Sequence, residues 1–263
     1  MTETTSKNDA SIATFERSGR LPSFAILGCI ARTNRSVETD LLTASFCPYE
    51  NRLFEKRFVW RVATRTMPEY DVAETDTRTR NRIVKSAVAP RPIAWISTVS
   101  TDGVTNLAPF SAYNYVSSAE PVVSFSVPFA DRDELKDTPR NVLETGEFAV
   151  NVTSEALGEE MDASSAALDP DESEFEFAGV EAAECETIDA PRVADADVTM
   201  ECTLYGTMRV HDRLLTLGDV RYIHVADRAM TDGKIDATKL HQVGRLGGPY
   251  YTDSDPIELE RKF

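Results

Sequence analysis

The residues best suited to chemistry crowd into one window. From Thr77 to Thr101 the chain carries Arg78, Arg80, Arg82, Lys85 and Arg91 and not one acid, in a protein whose 44 Asp and Glu outnumber its 28 Lys and Arg for a net charge of −16. An uncompensated basic stretch in an acidic chain suits a ligand with concentrated negative charge. Guanidinium forks and hydroxyls hold the oxygens of a phosphate dianion well. The other reading is a basic arm that pairs with acidic surface on its own chain or on a partner subunit; Arg91, held between Pro90 and Pro92, fits that reading least. Ser97, Thr98, Ser100, Asn106, Ser111, Tyr113 and Asn114 follow closely, interleaved with Trp95, Phe110 and Tyr115. Small donors among flat aromatics suit a planar, phosphorylated ligand, although strands collect Ser, Thr and aromatic residues for packing reasons alone.

Other chemistries find less support. There is no G-x-S-x-G elbow, Walker loop or Rossmann fingerprint, and Gly244-Arg-Leu-Gly-Gly248 reads equally well as a turn. Cys29, Cys47, Cys185 and Cys202 lie far apart with no CxxC pair, and His211, His224 and His241 show no ligand spacing. Neither a metal site nor a disulfide framework is therefore expected, and the cysteine pattern suits a reducing cytoplasm. His224 falls in a strand pattern and reads as packed or exposed rather than catalytic. The acid-rich stretch from Asp169 to Asp189 lacks the spacing of a calcium loop and reads as solvated surface. No apolar run approaches the roughly 18 residues of a membrane helix. The acidic balance argues against nucleic-acid binding, which needs Lys and Arg to neutralise phosphates.

The elements that would position these residues are mostly strands. Ile93 to Val99 is a β-branched apolar run followed by the turn pair Asp102-Gly103, with extended chain from Val104 to Tyr115. Pro121 to Val127, Phe148 to Val152, Val198 to Tyr205 and Leu214 to Ala226 also read as strands, the last bent at Gly218-Asp219. Within Val198–Tyr205, Val198, Met200, Cys202 and Leu204 share one face, and Thr199, Glu201, Thr203 and Tyr205 the other. A short helix is expected from Asp137 as N-cap to its stop at Gly146, and another from Ser154 to about Ala167. About six antiparallel strands, a few short flanking helices and no βαβ rhythm predict a mainly β barrel or sandwich.

At this point the sequence resembles a known family. Ala89-Pro-Arg-Pro-Ile-Ala-Trp-Ile-Ser-Thr98, Asp102-Gly103, Asn106-Leu-Ala-Pro-Phe-Ser-Ala-Tyr-Asn114, Asp137-Thr138 with Asn141, Gly146-Glu-Phe-Ala-Val-Asn151 and Val243-Gly-Arg-Leu-Gly-Gly248 followed by Tyr250 occur in the order and spacing of the FMN-binding split-barrel, flavin reductase-like domains. The resemblance spans residues 80–251. It implies a Greek-key split β-barrel that forms a homodimer, with FMN near the subunit interface and NADH or NADPH as reductant. It further implies that Trp95, Ile96, Ser97 and Thr98 run along the flavin, and that Asn106, Ala108, Pro109, Phe110 and Ser111 contact its ring and phosphate. Asp137, Thr138 and Asn141 would close the pocket, and Arg91, Arg140 or Arg245 would meet the phosphate. The implied activity is an NAD(P)H-dependent flavin oxidoreductase in which the flavin carries the chemistry and no protein residue is catalytic. An FMN electron carrier of the flavoredoxin kind, or a non-enzymatic barrel module, would share the same motifs.

Charge divides the chain unevenly. Residues 1–66 hold 10 Lys and Arg against 7 acids, a net of +3, whereas residues 67–263 hold 18 against 37, a net of −19. The first part has weak periodicity, so it is expected to be an extension outside the fold, even a start-site artefact ahead of Met67, with 67–263 as the FMN-binding domain. In the second part Arg outnumbers Lys by 13 to 5. Dense carboxylates with few lysines suit a halophilic protein, because salt screens their repulsion within a Debye length of about 3 Å at 1 M. The melting temperature should therefore rise between about 0.1 M and several molar KCl; a flat or falling curve would remove the salt-adapted reading.

Overall fold

β-branched and aromatic runs bounded by turn residues form strands here, and their two faces differ in what covers them. The computed structural model describes residues 67–131, 134–253 and 256–260. The expected extension over 1–66 lies outside the described residues. The unit from Val72 onward begins with helix α1 (Thr77–Ala87), started by Asp76, whose side chain accepts from Thr79 N. It continues through β1 (Arg91–Pro92), β2 (Ala94–Val99), β3 (Thr105–Phe110), β4 (Tyr113–Ser117) and β5 (Val122–Pro128) to helix α2 (Asp137–Thr145). Then come β6 (Glu147–Val152), helices α3 (Gly158–Ala163) and α4 (Glu174–Ala178), β7 (Ala182–Ala183), β8 (Arg192–Val193), β9 (Val198–Val210), β10 (Arg213–Val225), β11 (Met230–Thr231), β12 (Lys234–Ile235), β13 (Gly244–Gly247) and β14 (Tyr250–Thr252).

One seven-stranded antiparallel sheet in the order β3-β2-β6-β9-β10-β5-β4 dominates, one strand more than the sequence suggests. The main core fills its inner face with Ala94, Ile96, Val123, Phe125, Val127, Val142, Phe148, Val150, Cys202 and Val220. Phe125 sits edge-on to Phe148 at 5.3 Å between ring centroids. A second cluster, with Ile93, Trp95, Leu107, Met161, Phe175 and Val193, covers the other face of β2. That is why the run from Ile93 to Val99 lacks polar alternation: both of its faces are buried. Burying each large apolar side chain contributes about 1.5–3 kcal/mol, so β2 is a firm place to hang a site.

The expected bend in the last long strand, β10, is real. The β9–β10 register shifts between Leu217 and Gly218 and again between Val220 and Tyr222. Gly218 is required where it stands, because a Cβ there would lie 2.2 Å from Phe148 Cζ. Other expectations change. Asp137 is not the N-cap of α2; Lys136 takes that position, and Asp137 instead pairs with Arg140 at 2.7 Å within the first turn. Gly146 ends the helix as expected, in the left-handed region at φ 78°. The stretch after Ser154 is a 3₁₀ turn (Glu155–Leu157) followed by α3, shorter than the expected helix. Among the described residues no helix is long and apolar enough to cross a membrane.

Candidate functional site

The β2–β3 hairpin sets the frame. Thr98 and Asn106 are register partners across it, so both side chains leave the same face. The first turns of α2 close over them. Thr138 Oγ1 donates to Asn106 Oδ1 at 2.7 Å, Thr98 Oγ1 donates to the same oxygen at 3.3 Å, and Asn141 Nδ2 donates to Thr98 Oγ1 at 3.0 Å. Asn106 Nδ2 in turn donates to Glu174 Oε2 at 2.9 Å, and Leu107 N reaches that same oxygen at 3.1 Å. All of these side chains are buried. They form a closed bracket in which Asn106 is the shared member, tying β3 to β2, α2 and α4.

Glu174 was not visible as part of this site. The acidic stretch around it reads as solvated surface, yet Phe175 enters the second core cluster and carries Glu174 inward with it. An acid flanked by Phe residues in an otherwise polar run was the available signal. Burial pushes the Glu174 carboxyl above its ordinary value, against the pull of its bonds from Leu107 and Asn106. Thr138 and Asn141 are thus gathered with Thr98 and Asn106, but around one another rather than around an open pocket, while the half-buried Asp137 pairs with Arg140 instead.

A second group lies beyond the far end of β3. β1 and β13 pair antiparallel with Arg91 opposite Arg245. The C-terminal segment reaches this place because Val243 N donates to Thr153 O and Glu155 N to His241 O, pinning it to the end of β6. Arg91 donates through NH1 to the carbonyls of Lys85, Val88 at 2.8 Å and Leu246 at 3.2 Å, and its Nε points to Ser111 Oγ at 3.5 Å. Among the described residues its partners are carbonyls and a hydroxyl, never a carboxylate. Burial, and then the charge of Arg245, push the Arg91 guanidinium below its ordinary value. Arg245 stacks on the Tyr251 ring at 4.3 Å, bonds its hydroxyl, and among the described residues has only Asp162 within salt-bridge range, at 3.9 Å. Two cations placed opposite each other across strands destabilise the pairing, and an anion beside Ser111 would relieve that.

The remaining residues implied by the resemblance line the strands between these groups. Trp95, Ile96 and Ser97 have no exposed surface. Trp95 Nε1 donates to Ser164 Oγ at 2.8 Å, and Asn151 Nδ2 donates to Ser97 Oγ at 3.0 Å. Phe110 packs at 5.6 Å on Phe125, against the main core. Ala108, Pro109 and Ser111 are half-buried, as are Arg91 and Arg245. A cleft of about 550 Å³ lies instead by Thr105, Asp171, Glu172, Ser173 and Glu176, at the opposite end of β3. Its acidic wall opposes a phosphate.

Comparison with known proteins agrees with this architecture. Residues 86–240 match the family described as Flavin reductase like domain. An uncharacterized protein of Aquifex aeolicus is 41% identical over 184 residues, 70% of this chain and 94% of its own. Among solved structures, nitrilotriacetate monooxygenase component B from Bacillus cereus superposes with a TM-score of 0.70 at 33% identity, covering 74% of this chain and 99% of its own. Pseudomonas fluorescens 2-nitrobenzoate 2-nitroreductase NbaA gives 0.67 at 27% identity, covering 74% and 96%. With its antiparallel barrel sheet and few short helices, the chain belongs to the flavin reductase-like family of split-barrel domains.

Proposed function

We propose that the protein binds FMN and passes hydride between NADH or NADPH and the flavin. The observation that carries this reading is the Arg91–Arg245 pair, which lacks a carboxylate for Arg91 and stands beside Ser111 in a family of flavin reductase-like domains. The residues present fit the cofactor. The two guanidiniums and the Ser111 hydroxyl suit a dianionic phosphate, and half-buried Ala108 and Pro109 offer a small apolar surface beside it. Bound flavin would supply the hydride-accepting chemistry, so the protein needs no acid–base pair of its own.

The chain's residues bind and orient. Arg91 and Arg245 hold the phosphate end. Trp95, Ile96, Ser97 and Thr98 form the rigid floor beneath the site, and the bracket of Thr98, Asn106, Thr138 and Asn141 keeps β3 and α2 in fixed relation. Asp137, paired with Arg140, holds that cation close to the first turn of α2. A homodimer completes the proposal. No residue of α1 is buried, Val84 and Val88 are exposed on or beside it, and Tyr115, Val116, Tyr205 and Met208 expose further apolar surface on the sheet. Such surface marks an association site.

The test is direct. The full chain, purified in high salt, should bind FMN with a shifted flavin spectrum and consume NADH or NADPH when FMN is in excess. No flavin affinity would overturn the cofactor reading. Bound flavin with no consumption of either nicotinamide would overturn the hydride step and leave an electron carrier.

A further inference from the structure

We propose that Cys185, Glu201 and His224 form a binding site for a divalent metal ion of the zinc type. They belong to none of the groups above, and they are brought together by a register shift that spacing does not reveal. The shift between Val220 and Tyr222 sets Tyr222 opposite Glu201 and His224 opposite Thr199. Glu201 and His224 therefore leave the same face of the β9–β10 pair as diagonal neighbours, within reach of long side chains. Across the next ladder Glu201 stands opposite Ala149, a small residue. Ile188 and Ala190 pack on Ala149 and draw the β7–β8 connection over this face, bringing Cys185 with it. The polar side of β9, which alternation alone would leave in water, is thereby covered.

Glu201 has no exposed surface. Its carboxylate accepts from Glu186 N and Thr187 N, each at 2.7 Å, and from Thr187 Oγ1 at 2.5 Å, and its Oε1 lies 2.6 Å from His224 Nε2. None of these partners is Arg or Lys. Cys185 Sγ, a carboxylate oxygen of Glu201 and a ring nitrogen of His224 all lie within 4.8 Å of one another. Zinc–ligand bonds of about 2.0–2.3 Å in a tetrahedron place the donor atoms roughly 3.3–3.8 Å apart. The cluster reaches that shape if the His224–Glu201 contact opens slightly and Cys185 closes in. The metal would replace only the His224 contact at Oε1. The two backbone N–H groups and Thr187 would stay as outer donors that orient the ligand.

Charge favours the ion. With a dication in place, one thiolate, one carboxylate and one neutral imidazole bring the site to zero net charge; the thiol proton leaves to solvent as the metal binds. Arg192, the nearby cation acting on Cys185, turns its Nε to the carbonyl of Glu184. Exposed Glu184, Glu186 and Asp189 raise the local concentration of cations. A cavity of about 390 Å³ lined by Cys185, Ile188, Asp189 and Pro191 gives access. His224 remains partly exposed, so a fourth position is left for water. Three protein ligands with one open position is the arrangement of an accessible zinc site rather than a closed structural one.

The experiment uses the full chain stripped of metal. Zn²⁺ is titrated against a chromophoric chelator, and Co²⁺ is added separately to read thiolate ligation by its intense near-ultraviolet charge-transfer band. One tight equivalent per chain is expected, with the cobalt band present. Cys185→Ser should abolish the band, and both Cys185→Ser and His224→Gln should weaken zinc by at least the roughly 10–100-fold that loss of an outer partner costs. Melting of each variant without metal verifies folding, and added zinc should raise the melting temperature of the unsubstituted protein alone. Because Cys29 and Cys47 are also present, equal zinc affinity in all three proteins, or a cobalt band that survives Cys185→Ser, would overturn the proposal.

Discussion

Replacing Asn106 by alanine is expected to remove about 3–5 kcal/mol of stability. The side chain is the shared member of the bracket. It accepts from the hydroxyls of Thr98 and Thr138 and donates to Glu174. Alanine leaves those three groups buried with a partner missing, and each orphaned group costs about 1–3 kcal/mol. The denaturant midpoint should fall with an unchanged slope. The deficit should also depend on pH with a definite sign. Burial holds the Glu174 carboxyl above its ordinary value in the folded protein. The fold therefore binds this proton more tightly than the unfolded chain. The resulting penalty is absent below the ordinary carboxylate range and complete once the pH exceeds the folded value. Losing the Asn106 donor widens it, so the variant should suffer more at neutral pH than near pH 4. A loss below about 1 kcal/mol, or one that is equal at both pH values, would show that the bracket is not what joins β3 to α2 and α4.

Replacing Arg91 by methionine is expected to weaken FMN roughly tenfold to a hundredfold while leaving riboflavin nearly unchanged. A hydrogen bond to a charged group is worth about 1.5–3 kcal/mol, which converts to that factor in affinity. Riboflavin lacks the phosphate and so serves as an internal control for the carbonyl contacts Arg91 also makes. Ser111→Ala should discriminate in the same direction, and Arg245→Met likewise. Lysine at position 91 should restore only part of the affinity, because it lacks the planar fork. Thr98→Ala should instead weaken both ligands alike, since its hydroxyl is spent on Asn106 and Asn141. His224→Ala should leave both affinities as they are. Equal weakening of FMN and riboflavin by the Arg91 variant would move the phosphate elsewhere.

Much of this fold is legible in the residues. The β2–β3 hairpin follows from a β-branched run and Asp102-Gly103, and α2 stops at Gly146 because only glycine takes the left-handed conformation there without strain. The site is legible in part. Thr98, Asn106, Thr138 and Asn141 are indeed gathered by the fold, yet the same hydroxyls and amides that suggest ligand contacts satisfy one another. Composition cannot tell a donor aimed at a ligand from one aimed at a neighbour. Asp137 shows the same ambiguity: its carboxylate can cap a helix or bind Arg140, and a salt bridge within the turn prevails. Glu174 and Glu201 were hidden for a different reason. Strand alternation reveals two faces but not which loop will lie over the polar one, and the β9–β10 register shift depends on one extra residue near Arg221 that no local pattern announces.

The order of strands in the main sheet also bears on how the chain assembles. Three of its ladders, β2–β3, β4–β5 and β9–β10, join neighbours along the chain, and the other three, β2–β6, β6–β9 and β5–β10, join distant segments. Hairpins of the first kind close in about 1–10 μs. The second kind must bring together parts as remote as Val127 and Leu214, and chain entropy opposes each such closure until packing rewards it. The edge hairpins can thus exist early, but the core that unites Phe125, Phe148 and Cys202 draws on β5, β6 and β9 and cannot form before the long-range ladders do. Assembly is paced by topology, on the millisecond-to-second scale of sheets dominated by distant pairings. Arg91 and Arg245, from opposite ends of the described chain, come face to face only when β13 finds β1, so the pair proposed to hold the phosphate is the signature of a completed fold.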